Sequence, residues 1–416
     1  MKAIVTAALA LFPLGIFGAE IPKVPVPPSP YLPIIYKYAD AMLERGRDTN
    51  GVFHSALNRV TMVPLVFRDS GPTPHDHQNL LRLLYMLTEL STKPKYRDAA
   101  DAELRRFFSK ADSRSDLSYQ PWMLWDRCFD LGSEPNRQFA APREHNLAMG
   151  FPRYAGFYLR TWATAYARTT NELPLNAIDR VVRDLEIHRD PTTGIIWLGP
   201  DISHPWVLSG LSLAIDCDAA SRLVPEPLTS KLRGMADEQD RMFCSRPHDL
   251  KGTGGFISGD YLATDAGRKT TLWTPSSGRY RGHTTAQVGM MCVSRYENTG
   301  NVAYRDLIHV AADAYLKSMP TPEDDVWPMT FGHAISLQVA AWRSTAQQKY
   351  LDRARELADF ALRHFFDQGP LPRASLKSTH YDASTGADTL ALGLVELHLN
   401  ILGITAVRCP ANTIDR

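Results

Sequence analysis

Apolar positions along the chain recur in two alternating kinds of stretch. In the first kind they fall at helical intervals and leave a charged face. After Tyr304 the apolar set is Leu307, Ile308, Ala311, Ala314 and Tyr315; after Tyr350 it is Ala354, Leu357, Ala358, Ala361 and Phe365; after Tyr96 it is Ala100, Leu104, Phe107 and Phe108. In the second kind, as in 334–342 and 390–402, nearly every position is apolar, which predicts a helix buried on all sides. Short turns join each buried stretch to the amphipathic one that follows, and three of these turns share a pattern. Thr92 is followed by Tyr96 and Asp98, Thr299 by Tyr304 and Asp306, and Thr345 by Tyr350 and Asp352, so a Thr precedes a Tyr by four or five residues and x-Asp follows the Tyr.

The repeating unit is therefore a helical hairpin: an inner helix, a tight turn and an outer, half-exposed helix. Inner helices are expected near 77–90, 145–167, 204–216, 283–297, 332–343 and 386–402, and outer ones near 96–109, 174–188, 227–242, 303–317 and 348–366. Residues 33–46 supply the missing sixth outer helix if the first helix packs beside the last. Repeats of this kind bury their faces only against neighbours, and closing them into a ring removes the exposed ends. The expected fold is all-α, an (α/α)6 toroid with a few short strands in loops; 51–68 and 253–274 are the candidate hairpins. An open superhelix of the tetratricopeptide type is the competing architecture. It fits less well, because turns of about five residues alternate here with long returns such as 109–144 and 243–282. Long loops confined to one face are what a site-bearing rim requires.

Composition narrows the function. The 416 residues carry 46 Lys+Arg and 45 Asp+Glu, a net charge of +1, without the basic excess of a dedicated nucleic-acid or membrane-surface binder. The 44% apolar content excludes global disorder. Residues 1–19 read as a secretory signal: Lys2, an apolar run from Ala3 to Phe17 too short to span a bilayer, then Gly18-Ala19. A Pro-rich arm, 20–33, precedes a single domain over 34–408 and a tail, 409–416. A secreted or periplasmic protein is expected, free of the membrane once the signal is removed, as a monomer or weak oligomer. The five Cys (128, 217, 244, 292 and 409) show no CxxC pairing and read as buried free thiols.

The chain holds 13 His, and seven fall at the starts of inner helices. His75 and His77 stand at the first, His145 at the second, His204 at the third, His283 at the fourth, His333 at the fifth and His380 just before the sixth. In a toroid those ends meet at one mouth of the central cavity, where free amides and partial positive charge favour an anionic ligand. Arg143, Glu144 and Asn146 join the same rim, as do Arg279, Tyr280 and Arg281, Tyr381 and Asp388. Trp122, Trp125, Trp197, Trp206, Trp273 and Trp327 lie in comparable loops, offering flat faces for sugar rings.

Two mechanisms fit such a cleft. β-Elimination on a uronic-acid polymer needs a neutraliser for the carboxylate, a base for the α-proton and an acid for the leaving oxygen. Tyr280 between two arginines suits proton transfer, His145-Asn146 suits neutralisation, and His204, His283 and His380-Tyr381 stand in reserve. Hydrolysis needs two flanking carboxyl groups; Asp126, Asp130, Glu144, Asp201, Asp260, Asp382 and Asp388 lie in suitable loops, but no pair among them is selected by sequence. The rim's excess of His, Arg and Tyr favours elimination. No cofactor is required, although His75-x-His77 with Glu144 makes a candidate divalent-metal site.

The toroid repeats over about 35–403, the His145-Asn146 pair and the Arg279-Tyr280-Arg281 cluster together resemble the secreted toroid polysaccharide lyases, which act on pectate, alginate or glucuronan. In the alginate-lyase-like members a neighbouring Asn and His neutralise the carboxylate and a Tyr with a nearby Arg serves as base and acid. The resemblance implies His145 and Asn146 in the first role and Tyr280 with Arg281 in the second, with the order His-then-Asn reversed. Arg143, Glu144 and His145 are similar to the His, Glu and Arg set of the metal-dependent pectate lyases. Its implied partner is an acidic polysaccharide or oligosaccharide. Toroid glycosidases acting on unsaturated uronides, and a non-catalytic glycan-binding protein, are the alternatives; intracellular toroid epimerases, which use two His, are disfavoured by the expected signal peptide.

Overall fold

In the computed structural model, the described residues are 29–49, 51–65, 77–112, 157–169, 171–187, 189, 207–245, 257–258, 268–274, 283–321 and 323–413. They hold twelve helices in alternating inner and outer positions. The inner ones are α2 (Gln78–Ser91), α4 (Trp162–Thr169, entered through a π-helical turn, Phe157–Thr161), α6 (Val207–Ser221), α8 (Thr285–Thr299), α10 (Pro328–Thr345) and α12 (Ala387–Ile401). The outer ones are α1 (Tyr31–Arg45), α3 (Lys95–Asp112), α5 (Glu172–Ile187), α7 (Leu228–Cys244), α9 (Val302–Tyr315) and α11 (Gln348–Phe365). Helix α1 packs against α12 and fills the sixth outer position, as the sequence pattern requires. Within the inner layer α12 packs on α2, the π-helical turn on α6, α6 on α8, α8 on α10 and α10 on α12.

The repeated Tyr explains itself at the outer junctions. Tyr96 on α3 donates to Asp40 on α1 (2.8 Å), Tyr304 on α9 to Asp240 on α7 (2.6 Å), and Tyr350 on α11 to Asp313 on α9 (2.8 Å). Tyr31, at the start of α1, donates to Asp359 on α11 (3.1 Å), so the same contact closes the ring between the first and last outer helices. A preceding lysine repeats as well: Lys95 pairs with Asp40 and Lys349 with Asp313. Each Tyr buries its ring while its hydroxyl reaches a neighbour's carboxylate, one residue serving both layers.

The turn before the Tyr is also built alike, and here the structure shifts one position of the sequence pattern. Thr299 bonds the carbonyl of Arg295 and accepts from the Asn301 amide; Thr345 does the same with Ala341 and Gln347. In the first hairpin that role belongs to Ser91, bonded to Leu87 and Lys93, and not to Thr92. Thr169, bonded to Ala165 and Asn171, is a fourth copy. The hydroxyl residue thus lies five positions before the Tyr in the three hairpins that have one, while Pro174 takes that place in the hairpin of Thr169. Thr92 instead takes the left-handed position next to it (φ 58°), where the other turns have Gly300 (φ 70°) and Ala346 (φ 55°).

Inner helices approach closely where side chains vanish. At the α10–α12 crossing, Gly332 and Gly393 face each other. A Cβ on Gly393 would stand 2.6 Å from the Gly332 carbonyl oxygen, and one on Gly332 would overlap the Thr389 carbonyl. Strands are few among the described residues. β1 (Ala56–Leu57) pairs antiparallel with β4 (Tyr381–Asp382), and β2 (Ile257–Ser258) with β3 (Arg268–Lys269). The second pair is the hairpin expected over 253–274. Residues 51–68 also hold an antiparallel bridge of their own, Leu57 with Pro64, and β1 pairs in addition with the distant β4 on its other edge. Cys217, Cys244, Cys292 and Cys409 are free; burial pushes the thiols of Cys217, Cys292 and Cys409 well up, so they are inert. Cys128 and the residue ranges assigned to the signal and most of the arm lie outside the described residues.

Two measurements test this packing. Gly332→Ala forces backbone apart at the α10–α12 crossing and should cost about 1–3 kcal/mol by calorimetry, more than Gly234→Ala, where a Cβ meets nothing within 4 Å. Glu103 on α3 is fully enclosed and accepts the Phe53 amide (3.1 Å); burial pushes its carboxyl up to about 8, against that hydrogen bond. The fold therefore binds this proton more tightly than the unfolded chain, and stability should fall as pH rises from about 4.5 to about 8. Glu103→Gln should flatten that part of a melting-temperature profile; an unchanged slope would place the dependence elsewhere.

Candidate functional site

The N-termini of four inner helices are described, those of α2, α8, α10 and α12. At α2 the N-cap is His77, fully buried with its ring 5.6 Å from that of Phe53. Beside it Asn79 donates to the Thr389 hydroxyl (3.0 Å) on α12. Asp388 on α12 accepts the Leu80 amide of α2 (2.9 Å) and its neighbour Thr389's amide (2.8 Å). One carboxylate thus serves free amides at the starts of two helices. At α8, half-buried His283 precedes the N-cap Thr284, whose hydroxyl accepts the Gln287 amide (3.3 Å). The loop before α8 is pinned there, since Thr271 accepts the Thr285 amide (2.8 Å) and Thr270 shares a hydroxyl contact with Thr285 (2.8 Å). At α10 the N-cap is Trp327, half-buried, with Pro328 at the first helical position and His333 one turn inside.

Of the sequence-derived site residues, Tyr280, His145, Arg281, His204, Asn146, Arg143, Arg279, Trp122, Trp125, Trp206, His75 and Glu144 lie outside the described residues. His77, His283, Trp327, His333 and Asp388 do stand at starts of inner helices. The structure brings His77, Asn79, Asp388 and Thr389 into one corner. His333 and Asp388 are 0% and 2% exposed, so neither offers a free surface to a ligand in this conformation. His380 is half-buried with Nδ1 on the Ser378 hydroxyl (2.9 Å). Tyr381 turns away from the mouth toward the outer layer, where its hydroxyl meets that of Tyr38 on α1 (3.3 Å). The expectation that Trp273 joins a sugar platform is corrected. Its ring is 6% exposed, 5.0 Å from Phe331 and edge-on to Tyr315 at 5.2 Å, with Nε1 donating to Ser318. A tryptophan beside a short strand satisfies its N–H locally and serves the core. Among the described residues no group of three His, Cys, Asp or Glu could hold a metal ion.

The sequence reading passed over a second set of residues. Four inner helices carry a lone arginine on an otherwise apolar surface. Arg295 on α8 is paid for locally, pairing with Asp240 (2.5 Å) and Asp218 (3.2 Å), and Arg343 on α10 pairs with Glu396 and Glu297 (both 3.0 Å). Arg82 on α2 and Arg160 in the π-helical turn differ. Arg160 has one carboxylate partner, Asp216 on α6 (2.5 Å), while Arg82 bonds the Asn79 side-chain oxygen (2.9 Å) and backbone carbonyls. Burial and the neighbouring Arg160 charge pull the Arg82 guanidinium down to about 9. The signal was available: a solitary charge inside a helix that is apolar on every side must reach a partner across the bore.

The carbonyls belong to the segment after α12. Ala411 oxygen accepts from Arg82 (2.7 Å), and Thr413 oxygen from both Arg82 (3.3 Å) and Arg160 (3.1 Å). Asn412 is fully buried and donates to the Gly332 and Thr389 carbonyls (3.3 and 3.0 Å) and the Ser336 hydroxyl (3.0 Å). Asn412 and Thr413 together touch α2, α4's entry turn, α10 and α12, which places them between the inner helices.

No family model matches the chain, and no curated protein is similar enough in sequence to count as a relative. Solved structures do match it over nearly their whole length. Cellobiose 2-epimerase from Bacillus thermoamylovorans aligns with a TM-score of 0.62 at 10% identity, covering 90% of this chain and 99% of that one. A D-mannose isomerase aligns at 0.63 and 11%, covering 89% and 97%. An α-1,6-mannanase of Salegentibacter sp. aligns at 0.54 and 12%, covering 89% and 99%, and an inactive variant of it has been seen with α-1,6-mannotetrose. At these identities the likeness establishes the architecture, and the chain is an (α/α)6 toroid.

Proposed function

We propose that this protein is a carbohydrate-processing enzyme that moves a proton at a sugar carbon, with β-elimination on a uronic-acid saccharide as the reaction. Toroids of the same architecture that epimerise, isomerise or hydrolyse sugars support the saccharide part of this reading. The observation that carries the chemistry is a contrast among the described residues at the starts of inner helices: His283 and His380 are half-buried there, whereas the carboxylates of Asp388 and Asp382 are committed to backbone. Asp388 holds two amides and Asp382 caps the turn at Ser384. Hydrolysis needs two carboxyl groups free to face the scissile bond; proton transfer needs His or Tyr near its working pKa.

In this reading His145 and Asn146 neutralise the substrate carboxylate, which acidifies the adjacent C–H. Tyr280, held toward phenolate by Arg279 and Arg281, removes that proton, and a protonated Tyr280 or His283 supplies one to the leaving oxygen. His204, Arg143, Trp122, Trp125, Trp206, Trp327 and His380 shape the saccharide cleft. The protein works outside the cytoplasm, where such polymers are met. Hydrolysis is the second reading, favoured by the likeness to the mannanase.

Purified protein incubated with pectate, alginate, glucuronan and glycosaminoglycans should raise the ultraviolet absorbance of an unsaturated product, and Tyr280→Phe should lower that rate by about 100-fold or more. New reducing ends without the absorbance would sink elimination in favour of hydrolysis. Binding with neither signal would leave a glycan-binding protein.

A further inference from the structure

We infer that Arg82 and Arg160 form a carboxylate-binding site on the toroid axis, and that residues 409–413 occupy it in this structure as a built-in peptide ligand. The inference rests on the reading of the protein as an enzyme of acidic saccharides, and it assigns that ligand's charge a place.

Four observations converge on it. Two guanidiniums from different inner helices point at one peptide oxygen, Thr413 O, at 3.3 and 3.1 Å. That is the arrangement a carboxylate oxygen takes between two arginines, and a carbonyl supplies only part of the charge they can hold. Charge balance is the second. Asp216 pairs with Arg160 and Asp388 is bound to amides, while among the described residues Arg82 has no carboxylate bonded to it. Arg295 and Arg343, with two carboxylates each, show what full pairing looks like in the same layer.

Access is the third. The Arg82 guanidinium is enclosed and the Arg160 side chain keeps only 12% of its surface open, so a ligand reaches them once residues 411–413 leave. Position is the fourth. Asn412, bonded to Gly332, Ser336 and Thr389, sits within two turns of the N-termini of α10 and α12, directly inside the mouth. The approach to it alternates between solvent and core: Leu402, Gly403, Thr405, Ala406 and Arg408 are exposed, while Ile404, Val407 and Cys409 pack against the core. When the segment leaves, the hydrogen bonds lost by Ala411, Asn412 and Thr413 are replaced by an acidic sugar and water. The segment and a uronate then compete for the same donors.

The test uses galacturonate as the probe, mannose as its neutral control, and calorimetry on the full chain and on a chain ending at Arg408. The shortened chain should bind galacturonate at least about 10-fold more tightly than the full chain and leave mannose unaffected. Arg82→Gln in the shortened chain should abolish the gain, and a synthetic peptide of residues 408–416 should displace the sugar. If the shortened chain loses its cooperative melt, Asn412→Ala at full length replaces it in the same titrations. Turnover of uronides with galacturonate affinity unmoved by truncation, Asn412→Ala or Arg82→Gln would overturn this site and leave the reaction standing. Arg82-dependent galacturonate binding with no turnover on any polymer would overturn the reaction and leave the site.

Discussion

Everything in this molecule depends on ring closure. A hairpin of one buried and one amphipathic helix cannot hide its inner helix alone; it needs a neighbour on each side. An open row leaves the first and last faces exposed to water, each costing roughly 25 cal/mol per Å² of apolar surface. The chain resolves this by spending its first helix, α1, on the last repeat. The Tyr31–Asp359 contact there is the same Tyr–Asp contact that joins α3 to α1, α9 to α7 and α11 to α9. The seam is chemically a repeat junction like the others.

Closure has a consequence for charge. The inner layer is nearly all apolar, so each arginine in it must be paired within the layer or reach the axis. Arg160, Arg295 and Arg343 meet carboxylates of neighbouring helices. Arg82 meets none among the described residues, and the segment following α12 brings peptide oxygens to Arg82 and Arg160. The same constraint acts on the helix N-termini, which end inside the protein. Their free amides are met by Asp388, Thr284 and Asp382, and this use removes carboxylates from the chemistry that could otherwise be assigned to them.

The hairpin pattern was legible because helical periodicity records burial directly. Inner helices read as apolar on all sides and outer ones as striped, and the described helices fall near their expected places; the start expected at 145 for the second inner helix lies outside the described residues. The Tyr repeat was equally visible, but not its partner, since Asp40, Asp240, Asp313 and Asp359 bear no fixed spacing to the Tyr they accept from. The exchange of Thr92 for Ser91 shows the limit of aligning like residues: either hydroxyl fits the sequence pattern, and only the backbone position decides which one returns to the carbonyl four residues earlier. Tyr381 and Trp273 mark the same limit at the rim. A loop location says that a side chain is near the mouth, and the direction in which it points is set by strand pairing and by neighbours far away in the chain.

By itself, the sequence determined the architecture: alternation of two helix types, short turns on one face and long returns on the other, and a first helix placed to close the ring. Burial is a local property of each helix, so it is written in local periodicity. Tertiary structure alone decided what meets on the axis. Arg82, Arg160, Asp216, Asp388 and Thr413 are separated by up to hundreds of residues, and nothing in the neighbourhood of any one of them names the others. Only closing six hairpins around a common bore brings two guanidiniums, a capping carboxylate and the peptide that follows the last helix to one place.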